Sequence, residues 1–140
     1  MTDLTKIFER IEVKDTYRMS FLVNTLVLPI YDAIKQEYGL NRGEYVLLMC
    51  LAHYDELTAQ DVVNMSRRPR NSISRSVHRM LEEGYLSRSP HPEDRRQVWL
   101  RITDEGLALH QELMARFVER EREFLGILSE EEQESLDLIL

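Results

Sequence analysis

The fold is decided by residues 58–102, which read TAQDVVNMSRRPRNSISRSVHRMLEEGYLSRSPHPEDRRQVWLRI. Thr58 is a good N-cap for a short helix that ends near Met65, and a tight turn separates this helix from a longer helical segment over residues 70–84. The apolar positions of the longer segment are four, three and one residues apart, which is typical of one face of a helix. They are Ile73, Val77, Met80 and Leu81. This order of elements predicts a helix-turn-helix.

A strand pattern follows at once. Residues 85–89 and 98–102 are the strand candidates, and in the second of them Val98, Leu100 and Ile102 alternate with Trp99 and Arg101, as in a half-buried strand. The connection between the two segments contains two prolines, which we expect to prevent regular pairing there. The sequence therefore predicts a hairpin with a projecting basic tip.

Charge is distributed unevenly along the 140-residue chain, whose formal net charge is −7. The window 66–101 holds nine arginines, no lysine and four carboxylates, and so carries a net +5. An acidic protein repels nucleic acid unless one face concentrates positive charge. Arginine has the planar fork that matches phosphate and guanine edges. The window therefore favours nucleic-acid binding.

The candidate DNA-binding residues lie in this window. When the apolar stripe of residues 70–84 faces the core, a polar face points outward, and the neighbouring turn and hairpin tip add further arginines. The whole set is Arg67, Arg68, Arg70, Asn71, Ser72, Ser74, Arg75, His78, Arg79, Arg95 and Arg96.

The remaining segments also read as helices. Residues 5–38 form a long helical stretch in which Pro29 predicts a kink or break. Capping-box spacing at Asn41 and at Ser129 predicts two further helices, one ending near Tyr54 and one still running at the end of the given sequence. Thr103 precedes a helix expected to reach about Leu128.

Several classes of function are disfavoured by composition. No run of about 18 apolar residues exists, and the first residues lack the layout of a secretory signal, so we expect a cytoplasmic protein. Cys50 lies among apolar residues and is best read as core, and the histidines show no ligand spacing with it. We therefore expect neither a cofactor nor a metal.

Two segments carry a resemblance to a known family. Residues 71–84, NSISRSVHRMLEEG, and residues 94–106, DRRQVWLRITDEG, resemble the recognition helix and the wing of the MarR family of winged helix-turn-helix regulators. The resemblance implies that Asp94 orients the wing arginine, that Arg96 is a minor-groove residue and that Arg75 contacts an operator.

The resemblance also implies the architecture. It is a mainly α single domain over residues 1–140 with a small β-hairpin, in which segments 1–40 and 104–140 are dimerisation helices. Residues 41–103 form the DNA-binding lobe, with the recognition helix at about 70–84 and the wing at about 85–102. Apolar residues near both ends would then make the homodimer, namely Ile7, Phe8, Ile11, Phe117, Phe124 and Leu128.

Many members of this family release DNA when a small anionic or aromatic molecule binds between the dimerisation helices and the DNA-binding lobe. Candidate effector residues here are Tyr17, Arg18, Tyr31, Tyr45 and Met49. Aromatic residues packed on helices are more often core than ligand-binding.

The functional prediction is a homodimeric regulator that binds a pseudo-palindromic double-stranded operator, with repression as the expected mode. A second hypothesis is a winged-helix module that binds an acidic protein partner and has no DNA role. An enzyme is disfavoured because no nucleophile–base pair, phosphate loop or metal-spaced cluster is visible.

Overall fold

A computed structural model describes Lys6, Phe8 and residues 11–94 and 96–140. Its named elements follow one another along the chain as six helices and two strands. They are α1 Lys14–Tyr38, α2 Arg42–His53, α3 Ala59–Ser66, α4 Arg70–Glu82, β1 Leu86–Pro90, β2 Val98–Ile102, α5 Asp104–Leu125 and α6 Glu130–Ile139. The predicted fold class, mainly helical with one small antiparallel hairpin, is confirmed.

The chain forms two compact units, one comprising the described residues of 1–33 and 117–140, the other residues 34–116. The second unit contains α2, α3, α4 and the hairpin, and it holds a continuous apolar core. Its innermost side chains are at most 1% exposed: Ile34, Leu40, Leu47, Leu48, Leu51, Val62, Ile73, Met80, Leu100 and Leu113. Burial of this kind is the main stabilising contribution to such a unit.

Three helices begin at residues whose side chains cap the first turn. The N-cap residues Asn41, Thr58 and Ser129 each accept a hydrogen bond from the third residue of their helix, and the acid at that third position bonds back to the N-cap backbone. These capping boxes satisfy backbone donors that a helix leaves unpaired at its first turn. The predicted helix starts at these three residues are confirmed.

The first predicted helix is corrected at two points. Helix α1 begins at Lys14, because a bend and a turn over residues 11–13 interrupt the predicted helical stretch; its predicted start at residue 5 lies outside the described residues. It continues unbroken through Pro29, where a break was one of the expectations. Thr25 and Pro29 are both exposed, so water can reach the carbonyl of Thr25 that lacks a helical donor.

The hairpin also differs slightly from expectation, because Pro90 belongs to β1 and lies opposite Val98. The N–H and carbonyl of Leu100 bond to Leu57, on the side of β2 away from β1. Since backbone groups alternate along a strand, Val98 likewise turns its backbone away from β1. Pro90 therefore lies at a position where no N–H is needed. Helix α5 ends at Leu125, before Gly126, rather than near Leu128.

Candidate nucleic-acid interface

A turn over residues 67–69 joins α3 to α4. Arg67 caps α3 in the left-handed conformation, with φ 56° and ψ 21°, and its N–H donates to the carbonyl of Val63 at 2.9 Å. Pro69 occupies the N-cap position of α4, and its carbonyl accepts from the backbone N–H groups of Ser72 and Ile73. The unusually basic turn therefore leaves the start of α4 at Arg70.

One face of α4 is buried and the other is open to solvent. Ile73 and Met80 are fully buried as predicted, Val77 and Leu81 are half-buried, and Ser76 is buried as well. The exposed positions among the predicted DNA-binding residues of α4 are Arg70, Asn71, Ser74, Arg75 and His78. Ser72 is half-buried at the edge of this face.

Most arginines of the basic window are not neutralised within the protein. No ion pair with a carboxylate forms at six of them across the described residues: Arg67, Arg68, Arg70, Arg75, Arg88 and Arg96. Arg101, by contrast, pairs with Glu56 and donates to the hydroxyl of Ser89 at 2.7 Å. His78 lies 3.3 Å from Glu82, one turn along the exposed face of α4. The unpaired guanidiniums give this side of the unit a positive field.

Arg79 is also among the predicted DNA-binding residues, and in the structure its guanidinium is bonded within the protein. Its Nε donates to Glu83 at 2.8 Å, and its Nη1 lies 3.0 Å from a carboxylate oxygen of Glu44 and 2.8 Å from the carbonyl of Gly39. These three acceptors occupy a guanidinium that the sequence pattern had placed toward a ligand. The carboxylates of Glu83 and Glu44 raise the pKa of Arg79, chiefly through the hydrogen bond to Glu83.

The wing tip is organised by Asp94 and His91. One oxygen of Asp94 accepts the backbone N–H of Arg96 at 2.9 Å, and the other accepts from the side chain of Gln97 at 2.9 Å. The bonds from Gln97 and from the Arg96 backbone lower the pKa of Asp94. Asp94 thus bonds to the backbone at Arg96, which leaves the exposed guanidinium free to point outward. Arg95 lies outside the described residues.

A cleft of about 430 Å³ separates the starts of α3 and α4 from the wing. Arg70 and Ser74 line it from α4, Arg96 lines it from the wing, and Gln60 lines it from α3. The structure therefore brings together residues from the recognition helix and the wing that the sequence had selected separately.

The five candidate effector residues are divided between the two units. Tyr17 is exposed, Arg18 pairs with Asp15 at 3.5 Å, and Tyr31 packs edge-on against Phe117 with ring centroids 5.6 Å apart. These belong to the first unit. The other two belong to the second unit, where Tyr45 is buried and Met49 is half-buried.

Other sites considered from the sequence have the following surroundings. Cys50 is 3% exposed, and burial raises the pKa of its thiol, as a core position requires. Within the described ranges, no group of three or more His, Cys, Asp or Glu side chains is placed to hold a metal ion. The helices of the same ranges include none with the length and apolar character needed to cross a membrane.

Sequence reasoning missed three residues that organise the interface. Glu44 is 2% exposed and was read only as a capping residue, Ser76 is buried on the inner face of α4, and the ring of His91 supports the wing tip. The capping box gave a local signal for Glu44, but its pairing with a residue 35 positions away had none.

Comparison with known proteins gives one consistent result. The model of the MarR family matches residues 40–98. The HTH-type transcriptional regulator PecS of Dickeya dadantii is 30% identical over 121 residues, which cover 84% of this chain and 73% of PecS. The apo form of wild-type MarR from E. coli superposes with a TM-score of 0.74 at 16% identity, covering 92% of this chain and 93% of that structure.

A further solved structure is that of MepR from S. aureus in complex with DNA. It superposes with a TM-score of 0.73 at 20% identity and covers 88% of this chain and 90% of the MepR chain. The order of α3, turn, α4 and hairpin agrees with the winged helix-turn-helix of these proteins. Together with the identity to PecS over most of both chains, this shows that the protein belongs to the MarR family of helix-turn-helix transcriptional regulators.

Proposed function

We propose that the protein is a homodimeric, cytoplasmic transcriptional regulator that binds double-stranded DNA in a sequence-specific way and has no enzymatic activity. The observation that carries this proposal is the outer face of α4, where Arg70, Asn71 and Arg75 are exposed and neither arginine is paired with a carboxylate of the described residues. Asn and Arg are the side chains that best read adenine and guanine edges in the major groove.

Each part of the interface has a distinct proposed role. Helix α4 enters the major groove, where Arg75 contacts base edges. The turn arginines Arg67 and Arg68 contact phosphates, which positions the lobe without reading sequence. Arg96 at the wing reaches the adjacent minor groove, whose narrow A·T-rich segments attract arginine. Support comes from the similarity in fold to MepR, which was solved in complex with DNA.

Dimerisation is supported by apolar side chains that the first unit exposes. Besides the half-buried Phe8, Ile11, Phe117, Phe124 and Leu128, a larger group is open to solvent in the described chain. It comprises Tyr17, Met19, Phe21, Leu22, Val23, Leu28, Val118, Ile127, Leu138 and Ile139. Exposed apolar surface of this extent marks an interaction site, and a second copy is the usual partner. Ile7, also predicted at this interface, lies outside the described residues.

A dimer places two copies of α4 on one face of the duplex. The expected operator is therefore a pseudo-palindrome with half-sites about one helical turn apart. We further propose repression that a small anionic or aromatic effector relieves. Tyr17, Arg18, Tyr31, Tyr45 and Met49 stay candidates for contact with that effector.

The test is selection of bound sequences from a random duplex pool, followed by titration of the selected operator. Arg75→Ala should weaken operator binding by about 1–3 kcal/mol. Lys35→Ala removes one exposed positive charge from α1 and serves as the control, with operator affinity unchanged. If random duplex at low salt did not bind at all, the protein-interaction alternative would replace this proposal.

A further inference from the structure

The inner face of α4 contacts the first turn of α2 very closely. A Cβ built on Gly43 would lie 2.7 Å from the hydroxyl oxygen of Ser76, and Ser76 is only 2% exposed. A side chain at position 43 would therefore require the Ser76 hydroxyl, or the helices themselves, to move. The first turn of α2 therefore packs directly against the middle of α4.

One turn further along α4, Arg79 binds the next residue of α2. Its Nη1 lies 3.0 and 3.2 Å from the two carboxylate oxygens of Glu44, which is 2% exposed. The carboxylate is also part of the α2 capping box, because it accepts the N–H of Asn41 at 2.7 Å. A buried carboxylate that loses its partner is strongly destabilised. The buried carboxylate of Glu44 therefore requires the charge of Arg79 beside it, which fixes the position of the Arg79 guanidinium.

The same guanidinium reaches a third element. Its Nη1 donates to the carbonyl of Gly39, the residue that follows α1, and its Nε donates to Glu83 at the end of α4. Gly39 adopts a positive φ of 67°, which turns the chain between α1 and α2. Arg79 thus bonds at once to the end of α1, the start of α2 and its own helix.

We propose that Arg79 is a positioning residue, which fixes the rotation and depth of α4 through Glu44 and Gly39 and does not itself contact DNA. The inference rests on the proposed function, because it concerns how α4 presents Arg75 to a base. Side-chain hydrogen bonds to base edges tolerate only small displacements. If α4 could rotate about its axis against α2, its contacts with base edges would therefore be lost first. Phosphate contacts from mobile side chains are less sensitive to such a rotation.

The experiment compares Arg79→Lys, Glu44→Gln and the double variant with the wild-type chain. Arg79→Lys keeps the charge but loses the planar fork, and Glu44 is too buried to touch DNA. Affinity is measured for the selected operator and for random duplex at several salt concentrations between about 50 and 200 mM, well below the unfolding temperature of each variant. Arg116→Lys, which disturbs the ion pair between Arg116 on α5 and Glu37 on α1, is the matched control.

We expect both single variants to lose about tenfold or more in operator affinity, with random-duplex affinity and the salt slope unchanged. The double variant should be no worse than the single variants, because one contact is lost in each case. Arg116→Lys should bind as the wild type does. If a single variant does not fold, Glu83→Gln is measured in the same way. It removes the negative charge from only the exposed contact of Arg79 and should give a smaller loss of the same kind.

Two results would overturn the inference. In the first, Glu44→Gln binds the operator as well as the wild type, and a further variant that removes the charge, Arg79→Met, lowers the salt slope by about 0.9, which is the signature of a direct phosphate contact. In the second, all folded variants discriminate operator from random duplex as the wild type does. The contacts of Arg79 with Glu44, Gly39 and Glu83 would then contribute only to the stability of the fold. Failure of the wild-type chain to bind any duplex would instead refute the proposed function.

Discussion

The imidazole of His91 lies against the indole of Trp99, with ring centroids 4.3 Å apart and ring planes inclined by 31°. From this position its Nδ1 accepts the backbone N–H groups of Glu93 at 3.2 Å and Asp94 at 3.1 Å. A nitrogen that accepts carries no proton, so the proton of the neutral ring is on Nε2. His91 therefore ties the turn of the wing tip to strand β2.

Replacement of His91 by alanine should loosen the wing tip and weaken DNA binding several-fold. The two backbone N–H groups lose their acceptor, and the turn that presents Arg96 becomes mobile. Because the wing reads the groove mainly through charge, the loss should be similar for operator and random duplex in a fluorescence titration. His91→Asn, which retains an acceptor oxygen close to the same place, should recover part of the loss. Equal affinity of His91→Ala and wild type would show that the tip needs no such support.

Gly106→Ala should lower the free energy of unfolding by about 1–3 kcal/mol, the usual cost of overpacking. A Cβ at this position would overlap the carbonyl oxygen of Tyr85, a backbone atom that also accepts the N–H of Thr103. The start of α5 must therefore move away from β1. Urea unfolding at fixed protein concentration measures the change.

Gly84→Ala is the appropriate comparison for Gly106→Ala. Gly84 has φ 78°, and no atom of the described residues lies within 4 Å of the added Cβ, so only the backbone conformation is penalised, at about 1 kcal/mol. An unfolding midpoint of Gly106→Ala equal to that of the wild type would mean that the contact between α5 and Tyr85 is easily relaxed.

The helices could be predicted from the sequence because their signals are local. The spacing of Ile73 and Met80 and the caps at Asn41, Thr58 and Ser129 depend on neighbours within one or two turns. The basic window was visible in the same way. Which arginines of the window are exposed and which are paired could not be predicted, because the pairing depends on carboxylates that are distant in the sequence.

Arg79 and Pro90 illustrate the non-local part. Arg79 lies at the edge of the apolar stripe, and only the packing of α2 brings Glu44 within 3.0 Å of it. Pro90 fits in β1 because Leu57 bonds to the far side of β2. Neither contact has a signature in a single sequence, since each joins residues that are more than 30 positions apart.

Arg67→Gly should stabilise the protein slightly and weaken its binding to DNA. The left-handed conformation at Arg67 costs an L-residue about 1 kcal/mol, and the greater freedom of glycine in the unfolded chain offsets roughly half of that gain. The free energy of unfolding should rise by roughly 0.5 kcal/mol. The salt slope of DNA binding should fall by about 0.9, because one phosphate contact is lost.

Arg67→Asn separates the two effects of that change. Asparagine tolerates the left-handed region and carries no charge, so it should reproduce the loss of DNA affinity with little change in stability. Retention of full affinity by either variant would remove Arg67 from the interface.

His110 gives the folded state a predictable sensitivity to acid. It is 5% exposed on α5, and its Nδ1 has no hydrogen-bond partner among the residues that the structure describes. The ring of His53 meets it edge-on, with centroids 5.8 Å apart. Burial, with a smaller contribution from the charge of His53, lowers the pKa of His110 from its ordinary value of 6.5. The unfolded chain therefore takes up this proton at a higher pH than the folded protein.

The free energy of unfolding should consequently fall as the pH drops below about 6.5, and this part of the fall should stop below the depressed pKa of the folded state. His110→Leu fills a similar volume without a titratable group, so it should flatten the pH profile between about pH 7 and pH 5. Urea unfolding at several pH values and constant ionic strength gives the profile. His53→Gln, at an exposed position, should remove only the smaller contribution. If His110→Leu kept the slope of the wild type, the acid sensitivity would have to come from other groups.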